Sequence, residues 1–277
     1  MLDAGIGNEY IPDHIFLTHG HGDHSKNLPL SFINLCNYKF KMSEEAIQNK
    51  KNKQIKLKKC INTSDLLMQE GVQRKTNIYV PIEIEQYVRD YIHSFYVLSK
   101  NNPNHKAHNK YNLIPVKPEE KFSIIIRNKK WQIEIIQCYH TVPCRGYGFS
   151  EVRRKLKDEY VGFPREELIK LRKQNIEIER EVTVPVFCYL GDTTEKVFIN
   201  ESVKNYPIIM IECTFLFPDQ LENAKNKKHV HIENLESFIK QMDKTTFILY
   251  HFSDRYENDE IKDFFKEKNY DNVKVWI

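Results

Sequence analysis

The chain lacks any apolar run approaching the ~20 residues that a membrane-spanning helix requires, and its mean hydropathy is −0.59. Residues 1–7 lack the basic segment followed by an apolar one that marks a secretory signal, so export is not expected. The six cysteines form no CxxC pair and show no short, even spacing, which leaves no disulfide framework to read. Cys138, Cys188 and Cys213 sit in apolar runs and read as reduced, buried thiols of an intracellular, reducing compartment, cytoplasm or nucleus. No excess of one charge is present either: 42 Lys and Arg against 38 Asp and Glu leave +4, which permits a nucleic-acid partner without demanding one. No segment repeats.

What is present begins with enough apolar material for a sizeable core. Hydrophobic residues make up 40% of 277, a length that fits one large domain or two small ones. Short apolar runs at 15–17, 77–80, 122–126, 133–138, 186–190, 208–211, 247–250 and 273–277 read as strands. Helical spacing follows Pro81 over 82–98. Pro164 opens a second helix at 165–173, with Glu166 and Glu167 in its first turn and Lys170, Arg172 and Lys173 in its last, the order that the helix dipole favours. Residues 232–242 and 259–266 also read as helices. Strands interleaved with helices predict an α/β protein.

Two stretches differ in composition. Residues 49–59 hold six lysines and read as a solvated loop or helix face, with RNA contact as the sharper alternative. Residues 151–181 carry nine Lys/Arg against eight Asp/Glu and read as a charged, arm-like excursion from the core.

The ends of the apolar runs carry the chemistry. Five of them deliver a histidine, aspartate or glutamate: His19, His140, Asp192, Glu212 and His251. In α/β sheets, sites form beyond the carboxyl ends of the strands, so these residues are expected to converge. The first run opens "FLTHGHGDHS", residues 16–25. His19 and His21, one residue apart, can reach one metal from a bent loop, and Asp23 with His24 can reach a second. Gly20 and Gly22 are expected to relieve the steric limits on that path. Donors that are mostly neutral imidazole suit Zn²⁺ better than Mg²⁺ or Ca²⁺. His14, His93, His105 and His108 stand apart from any such cluster and keep the plain reading of core or surface residues.

This HxHxDH pattern is similar to that of the metallo-β-lactamase superfamily, and the later motifs resemble ribonuclease Z, the tRNA 3′-processing endonuclease, in its short, plant-type form. "LDAG" (2–5) resembles the strand before the metal loop and "HTVPCRGYGFS" (140–150) the third ligand motif. "GDTT" (191–194) resembles the bridging-aspartate motif and "HFSDRY" (251–256) the last ligand motif. "ECTF" (212–215) with "KKHVHI" (227–232) resembles the glutamate–histidine pair that distinguishes ribonuclease Z within the superfamily.

The resemblance implies an αβ/βα four-layer sandwich. It starts inside the family's first sheet, so the expected form is N-terminally shortened: one nuclease domain over 1–277 with the arm at about 151–181. It implies two Zn²⁺, with Mn²⁺ as the alternative. His19, His21 and His140 would hold one and Asp23, His24 and His251 the other, with Asp192 bridging. Asp23, Glu212 and His229 are the candidate catalytic residues, and His231 is either a support of the site or a packing residue. Arg255 and Tyr256 read as structural supports. Metal-activated hydroxide would attack a phosphodiester of precursor tRNA and release the 3′ trailer, with His229, oriented by Glu212, protonating the leaving 3′ oxygen. Arg153, Arg154, Lys155 and Lys157 are the arm's candidate RNA contacts, and relatives form homodimers. The competing readings are a small-molecule phosphodiesterase or thioester hydrolase of the same fold, and a relative that binds RNA without cleaving it.

Overall fold

The computed structural model describes residues 1–6, 11–33, 75–100 and 110–277; the lysine-rich stretch 49–59, Cys36, Cys60, His105 and His108 lie outside the described residues. The chain divides into two compact units, Met1–Val80 with Ile84–Pro115, and Pro81–Glu83 with Val116–Ile277.

In the first unit, strand β1 (His14–Phe16) is followed by two helical turns, α1 (Gly22–Ser25) and α2 (Leu30–Ile33). Then come β2 (Thr76–Pro81), α3 (Glu85–Lys100) and β3 (Tyr111–Val116). The sheet order is β1-β2-β3, with β1 and β2 parallel in the register Ile15↔Ile78. Parallel strands are covered on both faces, which is why 15–17 and 78–80 are unbroken apolar runs and are buried throughout. Helix α3 presents Val88, Ile92 and Tyr96, one residue per turn, to a core of Ala4, Ile15, Leu17, Leu28, Ile78 and Val80. Full burial of a side chain such as Ile92 is worth ~1.5–3 kcal/mol. Pro81 terminates β2, and the first turn after it, Ile82–Ile84, is a tight 3₁₀ turn ahead of the expected helix.

The second unit is built on β4 (Lys121–Ile126), β5 (Lys129–Cys138), β6 (Cys144–Leu156), β7 (Glu179–Tyr189), β8 (Ile208–Glu212), β9 (Thr246–Tyr250) and β10 (Val273–Val275). Its sheet has the order β10-β9-β8-β7-β6-β5-β4. The pairs from β4 to β7 are antiparallel and those from β7 to β10 parallel. The helices are α4 (Arg165–Lys173), α5 (Leu221–Lys227), α6 (Ile232–Gln241) and α7 (Asn258–Lys268). Helix α6 buries Ile232, Leu235 and Ile239 against Ile209, Ile211, Phe247 and Leu249 of the sheet. Phe198 stacks on Phe238 at 4.2 Å between ring centroids.

The arm has regular structure that its composition does not announce. Residues 151–156 and 179–184 continue β6 and β7 as a hairpin, paired from Glu151↔Val184 to Leu156↔Glu179, beyond the point where β5 pairing ends at Trp131↔Glu151, with α4 beyond the strand ends. No apolar alternation marks "EVRRKL" as a strand. The backbone ladder with β7 forms it, and cross-strand charge pairs lie at its base: Lys129 to Glu151 and Lys130 to Glu181, both at 2.8 Å. Pro185, which cannot donate to a ladder, sits where the β6–β7 register slips between Phe149 and Ser150.

Candidate metal centre

The first unit contributes the histidine loop. β1 leads through buried Leu17 and Thr18 to His19, which is fully buried. The chain then turns into α1, whose first hydrogen bonds run from the His24 and Ser25 N–H groups to the His21 carbonyl, both 3.0 Å. Three imidazoles gather as a result: the His19 ring centroid lies 4.7 Å from that of His21 and 4.2 Å from that of His24. The Asp23 carboxylate is 3.4 Å from His24 Nε2 and stays open to solvent.

Asp3 organises this loop from below. Its carboxylate accepts from the Thr18 N–H at 2.6 Å and from the Thr18 hydroxyl at 2.9 Å. It also meets His24 Nδ1 at 2.8 Å. A carboxylate only accepts, so His24 carries its proton on Nδ1 and presents Nε2 as a lone-pair donor. The Thr18 proton is committed to Asp3. Its oxygen therefore accepts from His19 Nδ1, 3.0 Å away, and fixes the same tautomer there. Asp3 was not singled out from the sequence, although it lies inside "LDAG".

The glycine expectation is corrected. Neither Gly20 nor Gly22 has a left-handed backbone. A Cβ on Gly20 would meet only Ile84 Cδ1 at 3.8 Å, and one on Gly22 nothing within 4 Å. The glycine the loop requires is Gly5, where an added Cβ would overlap the Asp23 carbonyl. There the chain lies flat against α1: the Ala4 N–H donates to the His24 carbonyl at 2.6 Å, and the Asn27 N–H to the Ala4 carbonyl at 2.9 Å.

The second unit gathers the residues that follow β5, β7, β8 and β9. Asp192 Oδ2 lies 3.8 Å from His140 Nε2 and 3.6 Å from His251 Nε2. Donor atoms about 2.1 Å from a tetrahedral zinc are roughly 3.4 Å apart, so this spacing suits a cation between each imidazole and the carboxylate. His140 Nδ1 donates to the Lys228 carbonyl at 3.0 Å, which leaves the Nε2 lone pair available to a cation.

Glu212, fully buried at the end of β8, anchors the rest. Its Oε1 accepts from His229 Nδ1 at 2.8 Å and from the Thr193 N–H at 3.1 Å. Its Oε2 accepts from the Thr214 hydroxyl at 2.7 Å and the Thr214 N–H at 3.1 Å. With its proton given to Glu212, the Thr214 oxygen accepts from His251 Nδ1 at 3.1 Å. Asp192, His229 and His251 lie close enough to share a metal. His229 nevertheless approaches Asp192 through Nδ1, at 3.9 Å, and that nitrogen's proton is committed to Glu212. With Nδ1 held by Glu212, His229 presents Nε2 to the site, the atom that a cation or a proton would take. Cys213, next in the chain, takes no part: burial, then the Glu212 charge, push its thiol well above the ordinary range, so it stays protonated.

The remaining candidates separate cleanly. His231 caps α6, accepting from the Glu233 N–H at 3.2 Å through Nδ1 and donating from Nε2 to the Phe217 carbonyl at 2.9 Å, which makes it structural. The Tyr256 hydroxyl accepts from the Leu216 N–H at 3.1 Å and donates to Gln220. Arg153, Arg154 and Lys155 are exposed on β6, away from the residues just described. Thr214 and Lys228 fall inside the motifs read from sequence, but no side-chain pattern there announces what they hold. Both halves thus present imidazoles locked in the Nδ1–H form beside carboxylates, a donor set fitted to a divalent metal.

No family model matches this chain. It is 25% identical over 255 residues to tRNase Z TRZ1 of Arabidopsis thaliana, across 91% of this chain and 76% of that protein. To the chloroplastic tRNase Z TRZ2 of the same plant it is 30% identical over 129 residues, which is 45% of this chain and 36% of that one. It is 24% identical over 266 residues to ribonuclease Z of Staphylococcus epidermidis, 94% of this chain and 77% of the relative. Among solved structures, the metallo-β-lactamase fold protein YhfI of Bacillus subtilis superposes with a TM-score of 0.53 at 14% identity, covering 99% of this chain and 83% of that one. A diphosphatase of the PhnP family gives 0.53 at 12% identity, covering 99% and 76%. The chain has the metallo-β-lactamase fold.

Proposed function

We propose that this chain, similar in sequence to ribonuclease Z and built on the metallo-β-lactamase fold, is a metal-dependent endoribonuclease that removes the 3′ trailer from precursor tRNA. The observation that carries this reading is the buried Glu212 with its 2.8 Å bond to His229 Nδ1, beside Asp192. That pair supplies an oriented proton donor, which hydrolysis of a phosphodiester with a poor alkoxide leaving group needs.

The proposed ligands are His19, His21, Asp23, His24, His140, Asp192 and His251, holding two Zn²⁺, with Mn²⁺ as the alternative. The four imidazole tautomers fixed by Asp3, Thr18, Lys228 and Thr214 support this assignment. Divalent cations, when bound, supply Lewis acidity that makes water a nucleophile at neutral pH and offsets charge growing on the phosphoryl oxygens. Asp192 and the exposed Asp23 contribute negative charge to the metal site. His229 holds a proton for the leaving 3′ oxygen, and Glu212, accepting from its Nδ1, keeps the ring in place. The products are an RNA with a 3′ hydroxyl and a trailer with a 5′ phosphate.

In this reading the two units form one nuclease domain, and Arg153, Arg154, Lys155 and Lys157 on the arm contact tRNA phosphates. The protein acts as a homodimer in a reducing intracellular compartment. Three free, buried thiols, Cys138, Cys188 and Cys213, support such a compartment. No helix among the described residues is long and apolar enough to cross a membrane. The test is incubation of purified protein and Zn²⁺ with a 3′-extended precursor tRNA and, separately, with a small phosphodiester. Cleavage at the discriminator base supports the proposal. Turnover of the small ester with intact RNA would indicate a small-molecule hydrolase, and binding without cleavage an inactive relative.

A further inference from the structure

The second unit holds a cavity of about 1110 Å³ that His140 and His229 both line. Three ammonium groups, Lys196, Lys225 and Lys228, border it against two carboxylates, Glu195 and Glu222. A fourth cation in its wall, the buried Arg145, is neutralised by Glu83. The balance is positive, and it is concentrated where α5 ends beside His140.

Lys228 stands out there. It closes α5 in the left-handed conformation, φ 53° and ψ 49°, a position that glycine or asparagine occupies with less strain. Its carbonyl holds the His140 ring, a task that any residue's backbone performs. The backbone therefore gives no reason for a long cationic side chain at a strained position. The side chain turns back so that Nζ lies 3.4 Å from the His140 carbonyl, which holds the ammonium beside the metal ligand.

We propose that this cavity seats the nucleotide whose 3′ oxygen leaves, with Lys228 paired to the phosphate on that nucleotide's 5′ side. The assignment rests on the reading given above: if His229 protonates the leaving oxygen, the nucleotide bearing it adjoins His229, and His229 opens onto this cavity. Lys196 and Lys225 then face the RNA strand leading into it.

The test pairs Lys228→Gly with a precursor tRNA carrying a neutral methylphosphonate at that one phosphate. Losing one phosphate contact forfeits release of ~0.7–0.9 counterion, a factor of about 5–8 in affinity at 0.1 M salt. Lys228→Gly should keep its melting temperature, raise KM by about that factor and flatten the salt slope by ~0.7–0.9, and Lys228→Arg should restore both. The methylphosphonate should cost the unaltered protein the same factor and cost the glycine variant nothing more. Independent, multiplying losses, or an unchanged KM with either the variant or the modified RNA, would overturn the proposal. The modified RNA on unaltered protein decides the matter even if the variant misfolds. Failure of unaltered protein to cleave unmodified precursor tRNA would instead overturn the endonuclease reading, and this assignment with it.

Discussion

At the scale of single residues, the site is defined less by its donors than by what holds them. Thr214 has one proton and gives it to Glu212, so its oxygen is left to receive His251 Nδ1–H. Thr214→Val should weaken metal affinity ~10–100-fold, as loss of a group supporting a ligand typically does. Thr214→Ser should retain it, and competition with a chromogenic chelator reads the difference. His229→Ala should keep full metal content by elemental analysis and lose ~10²–10⁴ in cleavage rate. Loss of metal in that variant would make His229 a ligand. The metal-capable residues were legible in the sequence because HxHxDH and the polar residues at strand ends need no partner to be recognised. Their supports were not: His24 is fixed by Asp3, 21 residues away, and His140 by a carbonyl 88 residues away. A backbone carbonyl leaves no trace in residue type.

At the scale of elements, unbroken apolar runs announced β2, β8 and β9 nearly to the residue, and the dipole-ordered charges placed α4 at its observed bounds. All of β6 was missed: its buried inner half, Cys144–Ser150, carries two glycines, an arginine and a serine among its apolar residues, and its outer half is charged and exposed without apolar alternation. That finding refines the arm's expected behaviour. Arg153 already pairs with Glu151 at 2.5 Å, and alternation along the strand turns Arg154 to the face opposite Arg153 and Lys155. Replacing Arg153, Arg154, Lys155 and Lys157 together with alanine should flatten the salt dependence of tRNA binding by about one to two counterions rather than by the full four. An unchanged slope in a filter-binding titration would remove the arm from the interface. Gly5→Ala tests a different element. Overlap with the Asp23 carbonyl should lower the melting temperature and the metal content together, whereas Gly22→Ala, with open space around it, should spare both.

At the scale of the whole molecule, stability should respond to acid through identifiable pairs. Hydrogen bonds from Lys268 and Tyr270, which join the end of α7 to α6, hold the Glu236 carboxyl at about 2. An unfolded glutamate titrates near ~4.3. The folded value is the lower one, so the contribution is complete above the unfolded value and is lost as pH falls from there toward 2. Glu236→Gln should therefore melt below the unaltered protein at pH 6, with the gap closing toward pH 2. A gap that does not change with pH would assign Glu236 a packing role instead.

The fold class was legible from the alternation of strand and helix patterns, while the division into two units was not, since no linker-like composition separates them. The central claim is that His140, Asp192 and His251 hold metal. The most direct measurement of that is zinc content per chain after gel filtration, for the unaltered protein and for a triple variant His140→Ala, Asp192→Ala, His251→Ala. The expected result is about two zinc ions per chain in the first and, with the proposed ligands His140, Asp192 and His251 removed, neither retained in the second. Unchanged zinc content in the triple variant, or none in the unaltered protein after incubation with Zn²⁺, would contradict it.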